Sequence, residues 1–86
     1  MTVMETMPLR KLKVGQKALV VSVGGAGELG LRIREMGLMP GVEVQVLGRA
    51  PLKDPVALRL CGFTLSLRNN EADYIQVAPA ENTVRA

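Results

Sequence analysis

The residues most suggestive of ligand chemistry are three glycines, Gly25, Gly27 and Gly30. Their spacing matches G-x-G-x-x-G, a pattern whose backbone N–H groups can hold the pyrophosphate of a dinucleotide. Dinucleotide binding also requires parallel strands joined by helical crossovers and an acidic residue at the end of the second strand. The connections that follow residue 48 are too short for a crossover, so we predict no nucleotide site. We expect the glycines to turn the chain sharply from a strand into a helix.

Groups suited to acid–base or nucleophilic catalysis are scarce. The chain contains no histidine, which removes the commonest general base and a frequent metal ligand. Ser22 and Ser66 lie in strand-like segments with no base near them in the sequence. Asp54 precedes a proline in a predicted turn, where aspartate is ordinary. We therefore predict that the protein is not an enzyme.

Candidate metal ligands are present, but their spacing does not form a closed site. The weak candidates are Cys61, Glu28 and Glu35, and their spacing is unlike that of a structural zinc site. Three methionines near the N-terminus are spaced like a soft-metal tract, but a thioether is a poor ligand for Fe(II). We expect no cofactor, with at most weak binding of Fe(II) or another divalent metal.

Composition limits the class of protein. The 86 residues point to one domain, the net charge is +3, and the only aromatic residues are Phe63 and Tyr74. Nucleic-acid binders cluster their basic charge and stack bases on aromatic rings, so we predict no nucleic-acid partner.

The single cysteine cannot form an internal disulfide. Neither a signal peptide nor an apolar run of roughly 20 residues is visible. We therefore expect a cytoplasmic protein without direct membrane insertion.

Apolar residues recur with a period of two in several short segments, which predicts strands. The predicted strands cover residues 17–23, 42–48, 56–60, 63–67 and 74–77. After the first strand, Leu29, Ile33 and Met36 recur at the spacing of one helical face, and Gly37 suits the end of that helix. We predict a mostly β fold: a small SH3-like, five-stranded antiparallel barrel with one helix after the first strand.

The two ends of the chain are polar or irregular in pattern, unlike its middle. We predict a flexible leader over residues 1–8, the folded domain over 9–78 and a flexible tail over 79–86. Within the domain, Phe63 alternates with Leu65 and Leu67 and is expected to anchor the barrel interior.

Three apolar residues fall outside the predicted core. Leu31 projects from the helix face opposite to Ile33, Met39 follows the helix in a turn, and Leu52 lies in a hairpin loop. We expect these three side chains to form one docking surface for another protein, with the basic residues Arg34 and Lys53 on its rim. The same surface could instead join two copies of the chain in a homodimer.

Three segments together resemble the FeoA family. Residues 35–44, 49–55 and 62–68 carry G-L-x-P-G, R-A-P-L-x-D-P and G-[FY]-x-L-[SA]-L-R, and the resemblance extends over roughly residues 7–78. It implies an SH3-like barrel with a helical insert that belongs to bacterial ferrous-iron transport. It also implies a partner, the FeoB permease, whose cytoplasmic side carries a GTPase domain.

The favoured function is that of a cytoplasmic accessory protein that regulates ferrous-iron uptake by docking on the permease. Two alternatives remain open: a chaperone that hands Fe(II) or another transition metal to the transporter, and a metal-responsive SH3-like regulatory domain. The second follows from the similar barrel that ends iron-dependent repressors, although no helix-turn-helix segment precedes the barrel here. Fold alone does not decide among these functions.

Overall fold

The computed structural model describes residues 5–25, 27–52 and 54–79. The strands are β1 (Met7–Pro8), β2 (Lys17–Val23), β3 (Glu43–Arg49), β4 (Val56–Leu60), β5 (Phe63–Leu67) and β6 (Ile75–Pro79). The helices are α1 (Gly27–Glu35) and α2 (Asn69–Ala72), and a 3₁₀ turn covers Leu9–Lys11. The mostly β fold with a helix after the first long strand is thus confirmed.

One continuous antiparallel sheet contains all six strands, in the order β1-β6-β2-β3-β4-β5. The sequence predicted five strands, and the additional one is β1. It was not predicted because a two-residue strand has no detectable period. It pairs Met7 with Val77, and Pro79 of β6 pairs with Ala18. The sheet therefore includes Met7, Pro8 and Pro79, which the sequence assigned to the leader and the tail. Residues 1–4 and 80–86 of these two segments lie outside the described residues.

The interior of the domain is aliphatic, as the scarcity of aromatic residues requires. Valine and leucine side chains of β3, β4 and β5 fill its centre, and Leu9 and Leu12 close it from the side of the 3₁₀ turn. The fully buried large side chains are Leu9, Leu12, Ile33, Leu38, Val44, Val46, Val56, Leu58, Leu60, Leu67, Ile75 and Val77.

Helix α1 packs on this core by the predicted face. Ile33 is fully buried, and Leu29 and Met36 pack against the core while remaining partly exposed. At the C-terminus, the Gly37 N–H donates to Arg34 O (2.9 Å) and the Leu38 N–H donates to Ile33 O (3.3 Å). This is the Schellman pattern, and the φ of +101° at Gly37 is the left-handed conformation that it requires.

The prediction that Phe63 anchors the barrel interior is wrong. Its side chain is 49% exposed, whereas Leu67 at the other end of β5 is fully buried. Phe63 is the first residue after the hairpin turn, at the end of the outermost strand, where the alternating pattern no longer has an interior to face. The period of two therefore gives the correct strand but the wrong environment for its first residue.

Because Phe63 is half exposed, we expect Phe63→Ala to lower the free energy of unfolding by only about 1 kcal/mol, since roughly half of its apolar area leaves water on folding. The matched buried variant, Leu58→Ala, should lose about 2 to 5 kcal/mol. Urea denaturation of both variants measures the difference. Equal losses would mean that Phe63 belongs to the core after all.

Candidate docking surface

The exposed side of α1 carries the first of the predicted contact residues. Leu31 is 52% exposed and lies three residues before Arg34, so the two share one face of the helix. Ile33 occupies the opposite, buried side. An apolar side chain flanked by a basic one is therefore presented to solvent, as expected from the helical spacing.

Met39 is held in a turn of defined geometry directly after α1. Its N–H donates to Gly37 O (3.1 Å), and its carbonyl oxygen accepts from the Val42 N–H (3.1 Å). The Gly41 N–H in the same turn donates to Val20 O (2.8 Å), which fastens the turn to β2. Met39 is half exposed, so this apolar side chain is presented from a fixed backbone.

The loop between β3 and β4 presents Leu52, which is 89% exposed. The loop is closed at its base by a hydrogen bond from the Ala50 N–H to Pro55 O (3.1 Å). Asp54 Oδ1 accepts from the Asn69 N–H (2.9 Å), which ties the loop to the start of α2. An anchored loop with an apolar tip is suited to binding because little backbone freedom is lost on contact. Lys53 lies outside the described residues.

Sequence reasoning missed the structural roles of the polar residues around this loop. The Arg49 side chain donates through Nη2 to Arg10 O (2.6 Å) and to Leu12 O (2.7 Å), which fastens the 3₁₀ turn to β3. The first turn of α2 is capped by Asp54 and by Glu71, whose Oε1 accepts from the Arg68 N–H (2.9 Å). Two charged residues of the R-A-P-L-x-D-P motif, Arg49 and Asp54, make these contacts. The motif was therefore the sequence feature that could have indicated these structural roles.

The structure does not gather all the predicted contact residues into one patch. Met39 precedes β3 and Leu52 follows it, so the length of this strand separates them. Seven residues of strand span about 20 Å at 3.3 Å per step. Leu31, Arg34 and Met39 belong to α1 and the turn after it, and Leu52 forms a second, separate projection.

The two helices are joined by an ion pair beside this surface. Arg32 Nη2 lies 3.6 Å from Glu71 Oε2, and the Glu71 carboxylate is nearly buried. A second pair joins Arg10 to Asp73 at 3.0 Å, with both side chains about half exposed. Arg34 has no ion-pair partner in the part of the chain that the structure describes, so its charge is available at the rim of the α1 face.

The candidate metal ligands do not form a cluster. Cys61 is exposed in the turn between β4 and β5, and Glu28 and Glu35 are exposed on α1. Over residues 5–25, 27–52 and 54–79, no three Cys, Asp or Glu side chains are grouped so that they could hold a metal ion.

The glycine-rich segment has the structural role predicted for it. Gly25 has a φ of +88°, and the preceding Gly24 N–H donates to Tyr74 O (2.7 Å) where the chain leaves β2. A Cβ atom at Gly30 would collide with the carbonyl oxygen of Gly25. The glycines thus permit a tight turn and a close backbone contact. Because every strand pairing of the described sheet is antiparallel, the segment lacks the parallel-sheet setting of a dinucleotide site.

The sequence model of the FeoA domain matches residues 7–79, which includes every strand of the sheet. The chain belongs to the FeoA domain family. Members of this family take part in ferrous-iron transport. None of the described helices is long and apolar enough to cross a membrane.

Three similar proteins place this FeoA domain among known sequences and structures. A Fe(2+) transport protein A/Fe(2+) transporter FeoB fusion protein of Porphyromonas gingivalis is 41% identical over 71 residues, which cover 83% of this chain but 8% of that protein. The solution structure of a FeoA-like protein from Clostridium acetobutylicum is 33% identical, with 91% of each chain covered and a TM-score of 0.84. The zinc complex of FeoA from Stenotrophomonas maltophilia, a prokaryotic SH3 domain protein, is 28% identical with a TM-score of 0.73, covering 83% of this chain and 88% of that one. The SH3-like assignment is thereby confirmed.

Proposed function

We propose that this FeoA domain is a non-catalytic, cytoplasmic regulator of ferrous-iron uptake that docks on the GTPase-containing cytoplasmic part of a FeoB-type permease. The fusion protein of Porphyromonas gingivalis supports this partner, because a FeoA segment and a FeoB transporter share one polypeptide there. Joining two modules in one chain gives them a high effective concentration for each other. Separate chains need a surface that supplies the affinity instead.

The observation that carries the proposal is the presentation of exposed apolar side chains from anchored backbone. Leu52 projects from a loop closed at its base and tied to α2, and Leu31 projects from a helix held by its buried face. A few side chains buried at the centre of an interface supply most of its binding energy. Arg34 beside Leu31 favours an acidic partner surface and should accelerate association at low salt.

The proposal assigns no resident cofactor to this domain. Cys61, Glu28 and Glu35 are all exposed and belong to no cluster of three ligands within the described residues. Binding of Fe(II) or another divalent metal is accordingly weak, and iron is the cargo of the transporter rather than a ligand on which the docking depends. A tight one-to-one complex with Fe(II) would instead favour a metal chaperone.

Replacing Leu31 and Leu52 with serine should weaken binding to the permease at least tenfold, which corresponds to about 1.4 kcal/mol. The measurement is a titration of the chain against the full-length cognate permease in lipid nanodiscs, followed by its isolated GTPase-containing domain. Because both side chains are exposed, the melting temperature should change little. The two single variants report whether the helix face and the loop both contact the permease.

Val14→Ser provides a matched control, because Val14 is 60% exposed but lies outside the proposed contact residues. Its affinity should equal that of the unmodified chain. Undiminished binding of the double variant would refute the contact residues, and absence of any binding by the unmodified chain would refute the partner. A large fall in melting temperature would show that the leucines stabilise the fold.

A further inference from the structure

The two edges of the sheet are protected to very different degrees. At one end of the order lies β1, which has two residues, one of them Pro8. At the other end lies β5, which has five residues and no charge or proline. Within the described residues, β4 is the only strand that pairs with β5. Exposed sheet edges normally carry charges, prolines or bulges that prevent pairing with another strand, and β5 has none of these.

The geometry of β5 is regular enough to accept another strand. Residues Phe63 to Leu67 pair with β4 without a register shift, whereas the β2–β6 and β3–β4 pairings each contain one. The hairpin turn has φ of +51° at Cys61 and +85° at Gly62, which are type I′ values. In such a two-residue hairpin the flanking residues, Leu60 and Phe63, form a hydrogen-bonded pair.

Alternation along β5 then fixes which backbone groups point outward. Phe63, Leu65 and Leu67 direct their N–H and C=O groups toward β4, because every second residue of an antiparallel strand bonds to the same neighbour. Thr64 and Ser66 direct theirs away from the sheet. Within the described residues, no strand pairs with this side of β5, and no turn or loop hydrogen bond reaches these four groups.

We propose that β5 is a self-association edge, at which a second copy of this chain pairs through its own β5 about a two-fold axis. In the antiparallel register centred on Leu65, Thr64 of each copy lies opposite Ser66 of the other. Both residues then form hydrogen-bonded pairs, so all the outward groups are satisfied by four backbone hydrogen bonds. This inference is independent of the permease contact, because β5 contains none of the residues proposed for it.

The side chains of β5 suit this register. Thr64 and Ser66 are exposed, and hydroxyl side chains opposite each other on neighbouring strands interact favourably. On the other face, the partly exposed Leu65 packs against the core and would meet its counterpart on the axis. A second copy is favoured over a charged segment of another protein because β5 offers no charged side chain to recognise one.

Electrostatic repulsion between two chains of net charge +3 does not prevent this pairing. Arg68 follows β5 directly, but in this register it lies about six residues, or about 20 Å, along the strands from its counterpart. Arg59 of β4 pairs with Thr64 and is the basic side chain beside the paired residues. Three strand spacings of about 4.8 Å and an offset of two residues along the strands separate Arg59 from its counterpart in the other copy, a distance of about 16 Å. This distance exceeds the Debye length of about 8 Å at physiological ionic strength. The interface is small, so we expect a weak, concentration-dependent dimer.

Sedimentation equilibrium of the full chain, without permease, tests the proposal over protein concentrations from about 10 µM to about 1 mM, where so small an interface should dissociate. The unmodified chain should change from monomer to dimer over this range. The double variant Thr64→Lys/Ser66→Lys brings like charges face to face across the axis and should weaken association at least tenfold. The matched variant Thr64→Glu/Ser66→Lys brings opposite charges together and should retain the dimer.

Thermal unfolding of both double variants checks that the fold is intact, which is expected because residues 64 and 66 are exposed. Thr64 also pairs with Arg59 of β4, so the Lys/Lys variant should lose up to about 1 kcal/mol and remain folded. A monomeric unmodified chain at the highest concentration would overturn the proposal. A dimer that is equally stable in the Lys/Lys variant would also overturn it, since association would then use another surface. Neither result bears on permease binding, which is measured with a different partner and different variants.

Discussion

Gly30→Ala is expected to lower the free energy of unfolding by about 3 kcal/mol, the upper range for overpacking a buried site. Gly30 is buried in α1, and a Cβ atom there would collide with the carbonyl oxygen of Gly25. The collision is with backbone, which cannot rotate away as a flexible side chain would. The helix must shift from the turn that precedes it, and Ile33 with it.

The loss is large relative to the whole domain, whose 86 residues give a total stability of roughly 4 to 13 kcal/mol. At about 4 to 8 °C per kcal/mol, the melting temperature should fall by more than about 12 °C. Gly48→Ala is the matched control, because a Cβ atom there meets no atom within 4 Å and its φ is not positive. The control should stay within about 0.5 kcal/mol of the unmodified chain. Equal stability of the two variants would mean that Gly30 is not in close contact with Gly25.

Local periodicity predicted most of the architecture because one face of the sheet is exposed to solvent and the other packs on the core. Alternation in β3 and β4 gave their extent to within one residue, and the spacing of Ile33 gave the buried side of α1. Periodicity failed where position in the sheet matters more than pattern. Phe63 follows the apolar alternation of β5 but lies at the sheet edge beside a turn, and β1 is too short to have a period.

The candidate site was predictable in part for the same reason. Exposure of Leu31, Met39 and Leu52 followed from helical spacing and turn location, and it is confirmed. Their arrangement in space did not follow, because Met39 and Leu52 are distant in sequence and only the path of β3 determines how far apart they lie. Sequence spacing identifies exposed residues more readily than it identifies neighbours.

The polar members of the family motif have a role that sequence reasoning did not assign. Arg49 and Asp54 flank Leu52 in the R-A-P-L-x-D-P segment, and both bond to backbone groups of other elements. They hold the 3₁₀ turn, the loop and α2 in fixed relation. Arg49 and Asp54 therefore form a structural clamp, by which we mean the hydrogen bonds that fasten the 3₁₀ turn and α2 to the two ends of the loop. The proposed permease contact within the motif is Leu52 rather than these charged residues.

We expect Arg49→Ala to cost about 2 to 3 kcal/mol, because one guanidinium nitrogen supplies hydrogen bonds to two carbonyl oxygens and charged donors contribute about 1.5 to 3 kcal/mol. Its Nη2 lies 2.6 Å from Arg10 O and 2.7 Å from Leu12 O. Without it, the segment that carries the buried Leu9 and Leu12 side chains loses its tie to β3. Hydrogen exchange should increase most over residues 9–12, and the urea midpoint should fall.

Two comparisons separate the clamp from a general effect of removing positive charge. Arg59→Ala removes the same charge from an exposed side chain that has no partner within the described residues, and it should change stability by no more than about 0.5 kcal/mol. Arg49→Lys keeps the charge but has a shorter side chain and lacks the guanidinium Nη2 that donates to both oxygens, so its stability should lie between those of Arg49→Ala and the unmodified chain. If Arg49→Ala proves as mild as Arg59→Ala, the 3₁₀ turn is held by the packing of Leu9 and Leu12 alone. If Arg49→Lys is fully stable, positive charge rather than the guanidinium geometry holds the 3₁₀ turn to β3.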